Sequence, residues 1–327
     1  MRFILRRTGF FLFTMWAAVT VNFVIPRLMP GNPALAMIAR YRGHINGQAL
    51  KALELLFGVK AHVNIASEYF TYLDNIVHGR FGTSYTFFPE SVSHEVLQAI
   101  PWTLGLVGVT TILAFILGTL IGLVSAWRRG GLLDSMLPPI FVITSAFPYF
   151  WIALLCVWLF GIKLNWLPEF GGYAYQATPG WQWSFISDVL VHSILPASTI
   201  LVTSIGGWIL TMRNNVISVL GEDYVRMARA KGLKPWTVMW GYAGRNAILP
   251  NLTGFAMSLG FVVSGAILVE FVFNYPGVGW MLLDAVSNED YPLMQALFLL
   301  ITLAVLTAVL LADIATALLD ARTRDLS

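Results

Sequence analysis

The chain has 327 residues, of which 57% are hydrophobic and only 11% charged, with a formal net charge of +3. An average soluble domain carries roughly 25% charged residues, and a water-soluble globule this poor in charge would expose large apolar patches. An ordinary soluble enzyme and a disordered chain are thereby excluded. Cys156 is the one cysteine, so no internal disulfide can form, and the count argues against a Cys-based metal site.

Crossing hydrocarbon takes ~20 apolar residues. Six stretches near that length contain no charged residue: 9–25, 102–126, 136–160, 194–212, 251–269 and 293–312. The first, preceded by Arg2, Arg6 and Arg7, also fits a secretory leader. Ile25-Pro26-Arg27 follows it in place of a small-residue cleavage signal, so a retained first helix is expected. With the N-terminus on the cytoplasmic side, the inner segments hold Arg2, Arg6, Arg7, Arg128, Arg129, Arg213, Arg226, Arg229, Lys231, Lys234, Arg245, Arg322 and Arg324, most of the 20 basic residues. That bias orients the spans and puts both termini in the cytoplasm. The expected organisation is all-α: a first helix with its flank (1–29), an extracytoplasmic segment (30–100), a five-helix core (101–320) with an inner loop at 213–250, and a tail (321–327).

Within the outer segment Ile65, Tyr69, Tyr72, Leu73 and Ile76 recur at helical spacing, which predicts a folded unit. A second outer stretch, 161–192, carries Trp166, Tyr173, Tyr175, Trp181 and Trp183. These aromatics fit an interfacial belt or a docking surface. Gly118 and Gly122 form a small-xxx-small pair that permits close helix approach. Pro148 predicts a kink in the third span, and Gly206-Gly207 a looser fourth one.

The middles of the spans are free of charge, which weakens a proton relay or an acid-lined cation channel. Glu270 and Asp313 read as polar residues at span ends. His44, His62, His78, His94 and His192 all fall on the outer side without the i, i+4 spacing of a metal helix. No Gly precedes a Lys, so there is no P-loop. If transport is active, the energy comes from another subunit or from an ion gradient.

The inner loop has its own pattern. Residues 222–232 read as a short helix with acids at its start, an Arg226 spaced i, i+4 from Glu222, and basic residues at its end. Gly232 is placed to terminate it and Pro235 to prevent continuation. A free helix this short is marginal in water, below the ~12–15 residues usually needed, so it should dock on something. The plainer alternative is a positive-inside loop resting on lipid headgroups.

Tyr224-Val225 followed by Ala228-Arg229-Ala230-Lys231-Gly232, then Arg245-Asn246-Ala247-Ile248-Leu249-Pro250, resembles the inner-loop signature of ABC-importer permeases, nearest to the dipeptide/oligopeptide/nickel branch. Arg226 and Met227 stand where the general signature has Glu and Ala, and the Gly-to-Pro interval is longer. Weaker likenesses run along the chain: Gly82-Thr83-Ser84-Tyr85, Pro101-Trp102-Thr103-Leu104, Trp166-Leu167-Pro168, His192-Ser193-Ile194-Leu195-Pro196, Tyr275-Pro276-Gly277-Val278-Gly279 with Asp290-Tyr291-Pro292, and Asp320-x-Arg322.

The resemblance implies a type I ABC importer fold with six transmembrane helices. It implies a second permease subunit, two ATP-binding subunits that bind ATP and Mg, and an extracytoplasmic substrate-binding protein. This chain would carry no cofactor, no metal and no catalytic residue, and no nucleic-acid partner is expected. Its coupling residues would be Tyr224, Arg226, Ala228, Arg229, Lys231 and Gly232, with Ala228 and Gly232 allowing close docking. A multi-pass protein of a bacterial or archaeal cytoplasmic membrane follows. The expected solutes are peptides, with oligosaccharides or nickel chelates as alternatives. Two other classes stay open: a stand-alone ion-gradient carrier, which predicts intramembrane charges or inverted repeats, and an export permease.

Overall fold

The computed structural model describes residues 2–28, 64–264 and 266–319. His44, His62, part of the outer segment, the Asp320-x-Arg322 element and the tail lie outside the described residues. Every named element within them is helical. Helix α1 is Arg2–Leu28 and α2 is Ile65–Val77. Helix α3 runs over Val92–Trp127, α4 over Leu132–Ala146 and α5 over Tyr149–Lys163. Helix α6 is Trp183–Leu220 and α7 is Asp223–Ala230. Helix α8 covers 235–262, α9 is Ile267–Val272, α10 is Val278–Ser287 and α11 is Tyr291–Leu319.

Four helices, α1, α3, α6 and α11, are each long and apolar enough to cross a membrane. The expected third and fifth spans are each divided. Phe147 and Pro148 adopt extended backbone (ψ 131° and 132°) between α4 and α5. Proline lacks an N–H and disfavours helix in the residue before it, so the kink expected at Pro148 is a full break. The fifth stretch stops at Val262 and resumes at Ile267, with Ala266 at ψ 71°.

Helix α6 corrects two expectations. Its 38 residues, about 57 Å at 1.5 Å each, extend past the charge-free stretch at both ends, so residues 183–193 and 213–220, expected outside the span, continue its helix. It also runs unbroken through Gly206-Gly207. Gly206 serves packing there: a Cβ at that position would lie 2.8 Å from the Phe141 ring.

The α3–α6 contact is the centre of the bundle. A Cβ on Gly118 would lie 2.5 Å from Trp208 Cβ, and one on Gly122 would lie 2.5 Å from the Ile209 carbonyl oxygen. The small-xxx-small pair therefore lets two backbones meet, as its spacing predicts. Asn251 of α8 joins the same contact, donating to Thr119 Oγ1 at 3.2 Å.

The predicted helix in the outer segment is α2. Asn64 caps it by accepting from Ala66 N at 3.0 Å. Its half-buried side packs on α1: Tyr69 and Tyr72 ring the Phe23 side chain at 5.2 and 5.5 Å, and Arg27 meets Glu68 at 3.1 Å. Helix α1 in turn is tied to α11, where Asn22 Nδ2 donates to the Gln295 carbonyl at 2.8 Å.

Candidate coupling site

The segment after α6 forms the predicted short helix, slightly trimmed to Asp223–Ala230. Glu222 takes the extended N-cap conformation, and Asp223 lies in the first turn, where the helix dipole favours a negative charge. Arg226 does not pair with Glu222 as expected from spacing. Its Nη1 lies 3.6 Å from Asp223 Oδ1, one turn back.

The helix end is set by Gly232, whose φ of +72° is a left-handed value that suits glycine. Gly232 N donates to Arg229 O at 2.9 Å, and Leu233 N donates to Ala228 O at 3.4 Å. That pair of bonds is a Schellman motif, and Leu233 packs in the same apolar cluster as Ala228.

Eight residues alone would not hold a helix in water. The chain itself supplies the seat. Val225 and Ala228 are buried with Val238, beneath Trp127, Val219, Leu220 and Leu233. Ala228 therefore faces its own chain, so its small size lets α7 sit close to α8. The opposite face is open: Tyr224, Arg226, Met227, Arg229, Ala230 and Lys231 are all exposed. The Arg229 guanidinium also lies 5.3 Å from the Trp127 ring centroid at the end of α3.

One ion pair near this module gave no signal in the sequence reading. Asp134 Oδ1 accepts from Arg213 Nε at 2.6 Å, and Asp134 Oδ2 accepts from Gly130 N at 2.9 Å. Asp134 lies two residues before the charge-free stretch of the third span, and Arg213 directly follows that of the fourth. The Arg213 hydrogen bond, then that of Gly130, holds the Asp134 carboxyl below the usual carboxylate range. The pair ties α4 to α6 ten residues before α7 begins.

The other end of the bundle gathers the weaker sequence elements. Ser84 and Asp290 meet, with Thr86 N also donating to Asp290 Oδ2 at 2.8 Å. Thr103 Oγ1 donates to Glu270 Oε1 at 2.8 Å and accepts from Val278 N at 2.8 Å. Glu270 Oε2 accepts from Gly279 N at 2.7 Å and from Trp280 N at 3.3 Å. Glu270 is thus a fully buried, fully hydrogen-bonded clamp at the start of α10, where a simple span-end residue was expected. A Cβ on Gly277 would lie 2.5 Å from both Glu270 Oε2 and Thr103 Oγ1. Ser193 and Tyr275 share a hydrogen bond of 3.1 Å, and Tyr275 meets the Trp102 ring edge-on at 5.6 Å. Beside them Tyr173 stacks on Trp102 at 5.7 Å, while Tyr175, Trp181 and Trp183 of the aromatic stretch are exposed.

The chain is similar in sequence to its relatives over nearly its whole length. Residues 118–325 match the family described as binding-protein-dependent transport system inner membrane component. The chain is 33% identical to a di/tripeptide transport system permease protein of Pseudomonas aeruginosa, with 98% of each chain covered. It is 31% identical to an oligopeptide transport system permease protein of Bacillus subtilis, again with 98% of each covered. A glutathione transport system permease protein of Salmonella paratyphi A is 30% identical, with 99% of each covered. With the apolar helices, these findings identify a multi-pass transport component of the inner membrane. The chain belongs to the family of binding-protein-dependent transport system inner membrane components.

Proposed function

We propose that this chain is a permease subunit of an ATP-driven importer for di- and oligopeptides. The observation that carries the solute class is near-complete alignment with proteins named as di/tripeptide and oligopeptide permeases. In this reading α1, α3, the α4–α5 pair, α6, the α8–α9 pair and α11 make six crossings, with both termini cytoplasmic. The positive-inside distribution supports that orientation. Residues 101–320 form the transmembrane core, 30–100 an extracytoplasmic segment and 321–327 a cytoplasmic tail.

The engine lies in partners. Two ATP-binding subunits hold ATP and Mg, a second permease completes the pathway, and a binding protein delivers the solute. Helix α7 is the handle. Tyr224, Arg226, Arg229 and Lys231 offer the outward contacts. Ala228 seats the helix on its own chain, and Gly232 ends it. Movement of α7 reaches α3 through Trp127 and α4 through the Asp134–Arg213 pair.

The test is reconstitution of the complete complex with its binding protein in vesicles. ATP-dependent uptake of labelled di- and tripeptides is expected, with none for cello-oligosaccharides or nickel chelates. Uptake of one of those in place of peptides would overturn the solute class. Uptake driven by an ion gradient without ATP would overturn the importer type.

A further inference from the structure

The long helices differ in what they expose at membrane depth. Helix α1 presents Phe13 and Trp16, α3 presents Ile112 and Ile116, α4 presents Ile143 and α8 presents Phe261, all exposed. Such side chains suit lipid or an apolar partner. The basic half of α6 is different. From Thr203 to Leu220 it exposes Gly207, Thr211, Asn214 and Ser218 and no large apolar side chain.

These four positions follow one another at intervals of four, three and four, so they form one stripe on a single helix face. It spans about 16 Å at 1.5 Å per residue. Space above it is open, since a Cβ on Gly207 would meet nothing within 4 Å. The neighbouring faces of α6 are occupied: Gly206 by Phe141 and Asp134-bound Arg213 toward α4, Ile209 and Met212 toward α3. Polar groups facing hydrocarbon would be poorly satisfied, so this face belongs against water or a polar solute.

We propose, resting on the importer reading above, that the Gly207–Thr211–Asn214–Ser218 stripe lines the solute pathway and hydrogen-bonds the backbone of an extended peptide. Its chemistry fits that solute class. Hydroxyl and carboxamide groups match peptide N–H and C=O groups whatever the side chains. The charged residue within the stretch, Arg213, is held by Asp134 at 2.6 Å, and its Nη1 also donates to Asn214 Oδ1 at 3.3 Å, which anchors the Asn214 carboxamide by its oxygen. Thr203 and Ser204, one turn up, donate to the Thr199 and Ile200 carbonyls at 2.9 and 2.6 Å, which leaves their oxygens as acceptors toward the same side.

The rival occupant is a helix of the second permease. Gly207 and Thr211 have the spacing of a small-residue packing pair, and a helix seated there would exclude water. Cysteine accessibility separates the two, read on this chain, whose one native cysteine is Cys156. In the assembled complex carrying Cys156→Ser, Gly207→Cys and Thr211→Cys are compared with Ile112→Cys and Ile116→Cys on α3. The probe is a charged, membrane-impermeant thiosulfonate. Reaction at Gly207→Cys and Thr211→Cys is expected to be at least tenfold faster than at the α3 positions. Dipeptide present during ATP cycling should slow it at least threefold, and modification should abolish uptake. Rates equal to the α3 controls in a complex that still imports dipeptide would overturn the pathway assignment and leave the importer reading intact. Fast labelling that peptide does not slow would overturn the backbone contact. Absence of any peptide uptake in the Cys156→Ser complex would strike the importer reading instead, while the labelling rates still decide whether the stripe meets water.

Discussion

Ser84 donates a 2.5 Å hydrogen bond to Asp290, although 206 positions separate them. Asp290 Oδ1 also accepts from Leu293 N at 3.2 Å, which makes it the N-cap of α11. One carboxylate thus fixes the loop before α3 to the start of the last helix. Asp290→Ala would strand Ser84, Thr86 N and Leu293 N in a buried site, a loss of about 3 kcal/mol. The expected outcome is a clear fall in the Tm of the purified complex in detergent. Asp290→Asn, which keeps one acceptor, should fall between that variant and wild type. Equal melting for wild type and Asp290→Ala would mean that the clasp contributes nothing to the fold.

Ser84 and Asp290 also illustrate what the sequence could and could not disclose. Each lies in a weak family-like element, so each was legible as a marked position. Their meeting was not, because a contact across 206 residues leaves no local pattern. Glu270 is the same case: its burial depends on Thr103, from a distant helix. Signals that act through local geometry were legible, as with the disturbance at Pro148 (read as a kink, found as a break), the close approach at Gly118 and the helix stop at Gly232. The gap after Val262 was missed because the 251–269 stretch was read as one span from its lack of charge alone. The length of α6 was missed because charged residues mark where a membrane ends, not where a helix ends. The exposed stripe was legible only once the structure showed which of its faces were covered.

The Gly118 and Gly122 contacts predict sharp intolerance of side chains. Gly118→Leu would force Trp208 and the Ile205 carbonyl away, since even a Cβ lies 2.5 Å and 3.0 Å from them. Overpacking of this kind costs about 1–3 kcal/mol or more where backbone blocks relaxation. A steep loss of folded yield is expected for Gly118→Leu and Gly122→Leu. Gly105→Ala on the same helix, with nothing near its ideal Cβ, should leave yield unchanged. Similar yields for all three would show that α3 and α6 do not rely on that approach.

The Asp134–Arg213 pair predicts a particular acid response. The folded carboxyl lies below its unfolded value of ~3.9. Its stabilisation is therefore complete above about pH 5 and is lost as pH falls through the depressed folded value. Asp134→Asn should lower stability by about 2 kcal/mol at neutral pH, in line with hydrogen bonds to charged groups, and should flatten the acid limb of stability against pH. The exchange Asp134→Arg with Arg213→Asp should recover part of the loss. An acid limb identical in wild type and Asp134→Asn would assign acid sensitivity to other groups.

Gly232 allows the two demands on the handle to be separated. Its φ of +72° costs an ordinary L-residue about 1–2 kcal/mol, and asparagine less than most. No atom lies within 4 Å of an ideal Cβ there, so the first atom of a side chain enters open space. Gly232→Ala and Gly232→Trp therefore share the same backbone strain and differ in the bulk they present at the surface. If α7 is gripped by an ATP-hydrolysing subunit, Gly232→Asn should import near the wild-type rate and Gly232→Ala somewhat less. Gly232→Trp should still assemble and hydrolyse ATP but import little, so its peptide-per-ATP ratio should fall furthest. A Trp variant that matches the Ala variant in that ratio would place Gly232 outside the gripped surface and leave it only the task of ending α7.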